Sequence, residues 1–239
     1  MGKNKIIKYQ EMVLGALKGK IDEFCLAGGT ALSLFYFQHR ISFDLDFFTR
    51  RFSQARIEEI IARLKGSLER DIKLIGQSRG KNSVRMMAYN ICFSEVDILK
   101  VDFVEDFMPI IKDPKTVDGV NILSLNDIYA RKISAVTGTV KIIDDTGRED
   151  FTGGRADAKD FYDLYFLSHT FMPLSEFADK YCDFMPIEGL VRWFKTYDRM
   201  SIMDGLLSLD TDKKIDCKGM EKHFKKEIER LIARKLDNI

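Results

Sequence analysis

The sequence predicts an α/β domain over residues 1–123 followed by a mostly α-helical domain over residues 124–239. Segments in which apolar and polar residues alternate, a pattern typical of strands with one buried face, lie in the first half of the chain. Beyond Pro109 and Pro114, apolar residues recur instead at helical spacing. Hydrophobic residues make up 45% of the 239 residues, which is enough to bury a core.

Helices and strands are expected to alternate in the first half. Apolar spacing predicts a helix over residues 6–17, which Gly19 ends, and then a strand over residues 24–27. The Gly28-Gly29 pair turns the chain, and we expect Thr30 to cap the next helix. Ser53 should cap another helix over residues 54–68. The remaining predicted strands cover residues 43–48, 72–75, 84–93 and 96–104.

The second half is expected to begin with a helix whose N-terminus lies at residues 124–127. The spacing of apolar residues predicts helices over residues 127–136, 158–168, 174–184, 188–197 and 220–236.

Composition excludes several classes of protein. The 38 basic and 37 acidic residues give a formal net charge of +1, so the chain as a whole has no electrostatic preference for nucleic acid or acidic membranes. The cysteines form no C-x-x-C pair and the histidines no i, i+4 pair, which favours reduced thiols and argues against a zinc site. No apolar stretch approaches the roughly 18 residues of a transmembrane helix. We therefore expect a cytoplasmic protein without a membrane anchor.

Two aspartates carry the first signal of chemistry. Asp44 and Asp46 stand at i and i+2 in a predicted strand, so their side chains point to the same side with Cα atoms about 6.5 to 7 Å apart. Carboxylates placed in this way can bridge two Mg²⁺ ions, which stabilise the attacking and leaving oxygens of a phosphoryl displacement. The alternative is an ordinary strand face on which both aspartates are solvated.

A glycine turn precedes these aspartates. Gly28 and Gly29 allow the backbone to approach a phosphate closely, the first turn of the following helix presents N–H groups, and Thr30 adds a hydroxyl donor. Alone, this G-G-T sequence could mean only a tight turn. Because Asp44 follows Thr30 after 13 intervening residues, the pattern favours a triphosphate-binding turn next to a metal site.

Asp102 is the best candidate for a third carboxylate. It lies between Val101 and Phe103 in a predicted strand, where an aspartate is costly unless it is paired or bound to a ligand. The alternative is an edge-strand aspartate that faces water.

These residues resemble the AbiEii/AbiGii nucleotidyltransferase toxin family. The resemblance rests on LAGGTAL at 26–32, His39-Arg40, and SFDLDFF at 42–48. Downstream, ARKISA at 130–135 resembles the family's lysine motif, and KDFYDL at 159–164 resembles its closing aspartate motif. The similarity covers about residues 24 to 168 in the expected order.

The resemblance implies an α/β (α+β) nucleotidyltransferase fold with a mixed sheet, of the polymerase-β-like superfamily, followed by helices. Members of the family are toxins of phage-defence and toxin–antitoxin systems, and some add nucleotides to the 3′ end of tRNA. The implied partners are therefore an NTP, tRNA or another RNA, and a cognate antitoxin.

The resemblance also implies roles for individual residues. Gly29 and Thr30 would hold the NTP phosphates, Asp44 and Asp46 would bind Mg²⁺, and Lys132 would contact the triphosphate from the helical domain. His39 is expected to be structural or to orient Arg40 near the phosphates. Lys132 could instead be an ordinary surface lysine.

Two further aspartates, Asp160 and Asp163, fall at i and i+3 on one helix face. We expect Asp160 to reach the cleft and complete the site, while Asp163 caps the helix or pairs with Lys159 or Arg155.

Two segments leave alternatives open. Residues 141–156 are predicted to form either a mobile lid that holds Arg155 over the substrate or a disordered insertion. The basic residues of the last helix could hold an RNA backbone, but interspersed glutamates also fit a solvated helix face.

Together these observations predict a Mg²⁺-dependent nucleotidyltransferase in which an acceptor hydroxyl attacks the α-phosphate of an NTP, with Asp102 helping to deprotonate it. A metal-dependent phosphodiesterase or nuclease would use the same carboxylates but would need neither the glycine turn nor Lys132. A non-catalytic nucleotidyltransferase-fold module that only binds a partner is a third possibility, against which the intact carboxylate set argues.

Overall fold

The computed structural model describes residues 2–79, 84–138, 140–143, 147 and 149–237. The chain divides into two compact units, Met1–Ser124 and Leu125–Ile239.

The N-terminal unit combines a mixed sheet with three helices in its described part. Its elements are α1 (Lys3–Leu17), β1 (Cys25–Ala27), α2 (Gly28–Leu32, continued by a π-helical stretch, Ser33–Phe37), β2 (Asp44–Thr49), α3 (Gln54–Leu68), β3 (Asp71–Ser78), β4 (Met86–Cys92), β5 (Ile98–Glu105), β6 (Lys115–Val117) and β7 (Val120–Ile122). Within the described residues, the seven strands form one sheet in the order β3-β4-β5-β2-β1-β7-β6. The pairs β2–β5 and β1–β7 are parallel, and the other neighbours are antiparallel.

Alternation along the central strands gives the sheet an apolar face and a polar face. Leu45, Phe47, Val101 and Phe103 are fully buried on the apolar face. Phe47 stacks on Phe103, with 5.6 Å between ring centroids, and Phe24 meets the Phe103 ring edge-on. Because successive strand residues point to opposite sides, the residues between these apolar ones share the other face.

The structure confirms the predicted fold class and most of the predicted elements. Helix α3 begins and ends as predicted, and the Ser53 hydroxyl accepts the backbone N–H of Arg56 at 3.4 Å. The predicted capping role of Thr30 was wrong. Helix α2 already begins at Gly28, which places Thr30 in the first turn, where its hydroxyl donates to the Asp44 carbonyl oxygen at 2.5 Å.

A short hairpin, β6–β7, is absent from the sequence prediction. Its strands have three residues each, too few for a clear alternation pattern. Asp118 and Gly119 form the turn with φ values of 48° and 72°. An Asp-Gly pair between valines is a strong signal for such a two-residue hairpin turn and could have revealed the hairpin.

The C-terminal unit is mostly helical. Its elements are α4 (Leu125–Thr137), β8 (Val140–Ile143), β9 (Glu149–Thr152), α5 (Ala158–Phe166, continued by a π-helical stretch, Leu167–Phe171), α6 (Leu174–Tyr181), α7 (Phe184–Thr196), α8 (Arg199–Leu207) and α9 (Cys217–Leu236). Helix α8 is a further element that the sequence did not predict.

The segment predicted to form a mobile lid or a disordered insertion, residues 141–156, contains strand pairing. Strands β8 and β9 pair antiparallel, with Val140 opposite Thr152 and Ile143 opposite Glu149. Residues 144–146 and 148 lie outside the described residues, so the lid prediction concerns a segment that is only partly described. Among the described residues, no helix is long and apolar enough to cross a membrane.

Candidate active site

Three of the predicted site aspartates lie on the polar face of the sheet. Asp44 and Asp46 alternate with buried residues on β2. Strand β5 runs parallel to β2, and its register sets Lys100 opposite Asp44 and Asp102 opposite Asp46. The parallel register therefore brings three carboxylates and one ammonium group together on neighbouring strands. We call these four residues, Asp44, Asp46, Lys100 and Asp102, the carboxylate patch.

Asp102 is the most buried of these carboxylates, with 7% of the residue exposed. Its Oδ2 accepts a hydrogen bond from Lys100 Nζ at 2.5 Å, while its Oδ1 is buried without a hydrogen-bond partner. Burial raises the pKa of Asp102, and the adjacent ammonium group offsets part of that increase. A buried carboxylate oxygen without a donor is suited to accept a proton or to bind a cation.

Side-chain donors hold both the carboxylate and the backbone carbonyl of Asp44. Its Oδ1 accepts a hydrogen bond from the Ser42 hydroxyl at 2.9 Å and lies 3.4 Å from the Thr30 hydroxyl, which donates to the Asp44 carbonyl oxygen. The buried amide of Gln10 donates to the carbonyl oxygens of Ser42 and Asp44, at 2.9 Å and 3.2 Å. Helix α1 thus holds the beginning of β2 in place through one polar side chain.

The glycine turn lies directly against the aspartates. Gly28 has a φ of 65°, and a Cβ at this position would overlap Asp46 Oδ2 and lie 3.2 Å from Asp46 Cγ. A Cβ at Gly29 would overlap the guanidinium of Arg40 and lie 3.1 Å from the Ser42 hydroxyl. The left-handed backbone at Gly28 therefore favours glycine, and a side chain at Gly29 would require the Arg40 guanidinium to move.

Arg40 is itself buried, with 6% of the residue exposed, and its Nη1 donates to the Ile41 carbonyl oxygen at 3.0 Å. His39 is fully buried, with its ring edge-on to Phe37. The N-terminal unit therefore gathers the predicted site residues Gly28, Gly29, Thr30, Arg40, Asp44, Asp46 and Asp102.

The C-terminal unit holds a second charged cluster. Lys132 Nζ on α4 lies 2.7 Å from Asp160 Oδ1 and 2.6 Å from Asp163 Oδ2 on α5. Arg155 Nε lies 3.1 Å from Asp160 Oδ2. The Lys132 side chain is only 9% exposed, so it is not the surface lysine that the sequence left possible, whereas that of Arg155 is 62% exposed. Both aspartates share Lys132, and Asp157 is the residue that caps α5.

Comparison with known proteins identifies the chain. A family model described as "Nucleotidyl transferase AbiEii toxin, Type IV TA system" matches residues 13–237. The chain belongs to this family. It is therefore an AbiEii nucleotidyltransferase, a toxin of the type IV toxin–antitoxin class, and membership implies an antitoxin partner.

Two solved structures from Helicobacter pylori share the fold of this AbiEii protein. JHP933 is 19% identical, with a TM-score of 0.55 over 99% of this chain and 97% of that chain. A second H. pylori protein, described as a candidate nucleotidyltransferase, is 18% identical, with a TM-score of 0.59 over 98% of each chain. No curated protein sequence matches the chain.

Three residues of the AbiEii site escaped the sequence prediction. Ser42 lies inside the aspartate motif, and Gln10 is a polar residue on the buried face of α1. Lys100 precedes Asp102 by two residues, so strand alternation alone places it on the same face. That spacing was the available signal for Lys100.

The polar face fits a Mg²⁺ site in its donor chemistry. Carboxylate oxygens are the ligands that Mg²⁺ prefers, and Asp102 has a buried oxygen without a donor. In the part of the chain that the structure describes, no three His, Cys, Asp or Glu side chains are grouped as metal ligands. Asp102 is instead paired with Lys100.

Proposed function

We propose that this AbiEii protein transfers a nucleoside monophosphate from an NTP to a hydroxyl at the 3′ end of an RNA, with tRNA as the leading candidate, in a Mg²⁺-dependent reaction. The main support for this proposal is the register of β2 with β5. It sets Asp46 opposite Asp102, with Asp44 on the same face of the sheet and the Gly28 turn against Asp46.

In this proposal, the three aspartates bind Mg²⁺, and Asp102 also accepts a proton. Asp44 and Asp46 would hold Mg²⁺, with Asp102 as a third ligand, and the metal would supply positive charge that stabilises the displacement at the α-phosphate. Asp102 Oδ1 would accept the proton of the acceptor hydroxyl, a role supported by the lack of a hydrogen-bond donor to this oxygen and by burial, which raises the pKa of the carboxylate. The acceptor oxygen forms a bond to the α-phosphorus, the bond to the bridging oxygen breaks, and pyrophosphate leaves.

The glycine turn supports the phosphate-binding part of the proposal. The left-handed backbone at Gly28 and the lack of a side chain at Gly29 bring the backbone against Asp46 and Arg40. Such a turn lets backbone N–H groups approach an anion closely. The Arg40 guanidinium adds positive charge beside the turn.

The roles of the second cluster remain part of the proposal. Lys132 forms ion pairs with both Asp160 and Asp163. Together with Arg155, which pairs with Asp160, these side chains carry two positive and two negative charges. Arg155, with an exposed side chain, is better placed than Lys132 to bind an anion from solution. We therefore propose that Arg155 binds substrate phosphate, while Lys132, Asp160 and Asp163 hold α4 against α5.

Radiolabel transfer tests the proposed reaction. The purified protein is incubated with each α-³²P-labelled NTP, Mg²⁺ and total tRNA, beside an Asp44→Ala/Asp46→Ala variant. Label on RNA with the wild-type protein alone is the expected result. RNA shortened without NTP would favour the nuclease alternative, and NTP binding without transfer to any RNA would move the acceptor to another class.

An Asp71→Ala variant is a matched control. Asp71 lies on the edge strand β3 and its side chain is 52% exposed, so its removal takes away a carboxylate from the same sheet but not from the site. We expect this variant to transfer label like the wild-type protein.

A further inference from the structure

Lys100 is a charged residue in the carboxylate patch that lies outside the sequence motifs described above. Strand register puts it opposite Asp44 and beside Asp102 on the polar face, in the row next to the Asp46–Asp102 pair. Its Nζ lies 2.5 Å from Asp102 Oδ2. One carboxylate of the proposed metal-binding set is therefore already neutralised by the protein's own cation.

The two partners of this ion pair differ in exposure. The Lys100 side chain is 43% exposed, whereas that of Asp102 is 10% exposed. Lysine is a flexible point charge on a four-carbon stem, so Lys100 can swing into solvent, while the Asp102 carboxylate is confined by the strands around it. Any rearrangement of the pair must come mainly from the lysine.

Charge balance explains why a lysine in this place matters. Asp46 and Asp102 lie on neighbouring strands, roughly 4.8 Å apart along the sheet, where two like charges repel. An ammonium group at Asp102 Oδ2 relieves that repulsion when no other cation is bound. It also repels a divalent ion that approaches the same oxygen.

We propose that Lys100 is a positioning residue that acts as an internal counter-cation, occupying Asp102 until substrate binding draws the ammonium group away. This inference rests on the proposed Mg²⁺ chemistry. In the NTP-free protein, Lys100 competes with metal at Asp102. The triphosphate of an incoming NTP offers the ammonium group another anion, which releases Asp102, so metal and NTP bind cooperatively.

Mn²⁺ binding to the NTP-free, full-length protein tests the competition directly. Mn²⁺ takes the same oxygen ligands as Mg²⁺, and its free concentration can be followed by electron paramagnetic resonance. Lys100→Met removes the charge while keeping a side chain of similar length, and we expect it to bind Mn²⁺ roughly tenfold more tightly than the wild-type protein, equivalent to about 1.4 kcal/mol. Lys100→Arg, which retains the charge, should bind Mn²⁺ like the wild-type protein.

Lys73→Met is the matched control. Lys73 lies opposite Asn90, which in turn lies opposite Lys100, so it occupies the same row of the sheet two strands away. Its ammonium group pairs with Asp71 at 3.3 Å. We expect its removal to change Mn²⁺ affinity less than about twofold, because exposed charges at this separation are largely screened.

A double variant assigns the effect to Asp102. In an Asp102→Asn background, Lys100→Met should no longer tighten Mn²⁺ binding, since the two changes act through one contact. Circular dichroism of each variant confirms that it is folded.

Equal or weaker Mn²⁺ binding by folded Lys100→Met, or an equal gain with Lys73→Met, would overturn the inference while leaving the proposed function intact. If neither the wild-type protein nor any variant binds Mn²⁺, with or without NTP, both the inference and the metal chemistry of the proposed function are wrong.

Discussion

Gly28→Ala is the substitution that tests the glycine turn most directly. Gly28 has a φ of 65°, a left-handed conformation that costs an ordinary L-residue roughly 1 to 2 kcal/mol. The added Cβ would also overlap Asp46 Oδ2 and lie 3.2 Å from Asp46 Cγ. The substitution therefore strains the backbone and displaces a carboxylate of the candidate site at the same time.

The two effects have separate magnitudes. A decrease of about 1 to 2 kcal/mol in the free energy of unfolding lowers the Tm of a chain of this size by roughly 2 to 8 °C. If the Asp46 carboxylate moves by about 1 Å, the rate of nucleotide transfer should fall on the order of 100-fold, since catalysis depends on the placement of reacting groups at that scale. Scanning calorimetry measures the first effect, and transfer of labelled nucleotide to RNA the second.

Gly66→Ala is the control for this experiment. Gly66 lies in α3, and a Cβ there meets nothing within 4 Å. Alanine in a helix interior should stabilise the protein by about 0.5 to 1 kcal/mol and leave transfer unchanged. Wild-type transfer and an unchanged Tm in Gly28→Ala would refute the argument that this turn needs glycine to pass Asp46.

Two further predictions concern the C-terminal unit. Lys132→Met leaves the buried carboxylates of Asp160 and Asp163 without their shared ammonium group, so unfolding in urea should show a loss of about 3 to 5 kcal/mol. Burial raises the pKa of Glu227, but hydrogen bonds from Ser175 lower it by more. The pKa of Glu227 therefore lies below its ordinary value of 4.5. Its stabilising effect is then complete above pH 4.5 and is lost as the pH falls through the folded-state pKa, so Glu227→Gln should flatten the acid limb of stability against pH.

Each of these predictions has its own check. Lys225→Met removes a lysine whose side chain is 68% exposed and 4.0 Å from Glu229, and should cost less than about 1 kcal/mol. A loss for Lys132→Met no larger than that of Lys225→Met would show that the buried aspartates do not depend on Lys132. An unchanged acid limb in Glu227→Gln would mean that other carboxylates govern the loss of stability at low pH.

Strand alternation explains why so much of the N-terminal site was predictable. The period of two in residues 43–48 places Asp44 and Asp46 on one side of β2 without any knowledge of the rest of the chain. The same rule puts Asp102 on one face of β5. What the sequence could not supply is the pairing of β2 with β5, which is a non-local choice that sets Asp46 opposite Asp102.

The failures have physical causes of the same kind. Helical spacing puts Asp160 and Asp163 on one face of α5 but does not say which cation faces them, so their shared contact with Lys132 on α4 was missed. Thr30 was expected to cap because Gly-Gly suggested a turn before the helix. The helix instead begins within the glycine pair, and the hydroxyl is used to bind Asp44.

The charge arrangements of the two clusters lead to different expectations for an anionic substrate. On the sheet face, the three carboxylates are accompanied by Lys100 and, beside the glycine turn, by Arg40, so negative charges still outnumber positive ones among these five side chains. In the helical cluster the charges balance, and Lys132 is held by two carboxylates that are almost completely buried. A phosphate that drew Lys132 away would remove the ammonium group that Asp160 and Asp163 share, at a cost of several kcal/mol, whereas Arg155 can turn towards an anion while Lys132 continues to neutralise Asp160. We therefore expect the affinity of the helical unit for substrate phosphate to depend on Arg155. The stability of α4 and α5 should depend on Lys132.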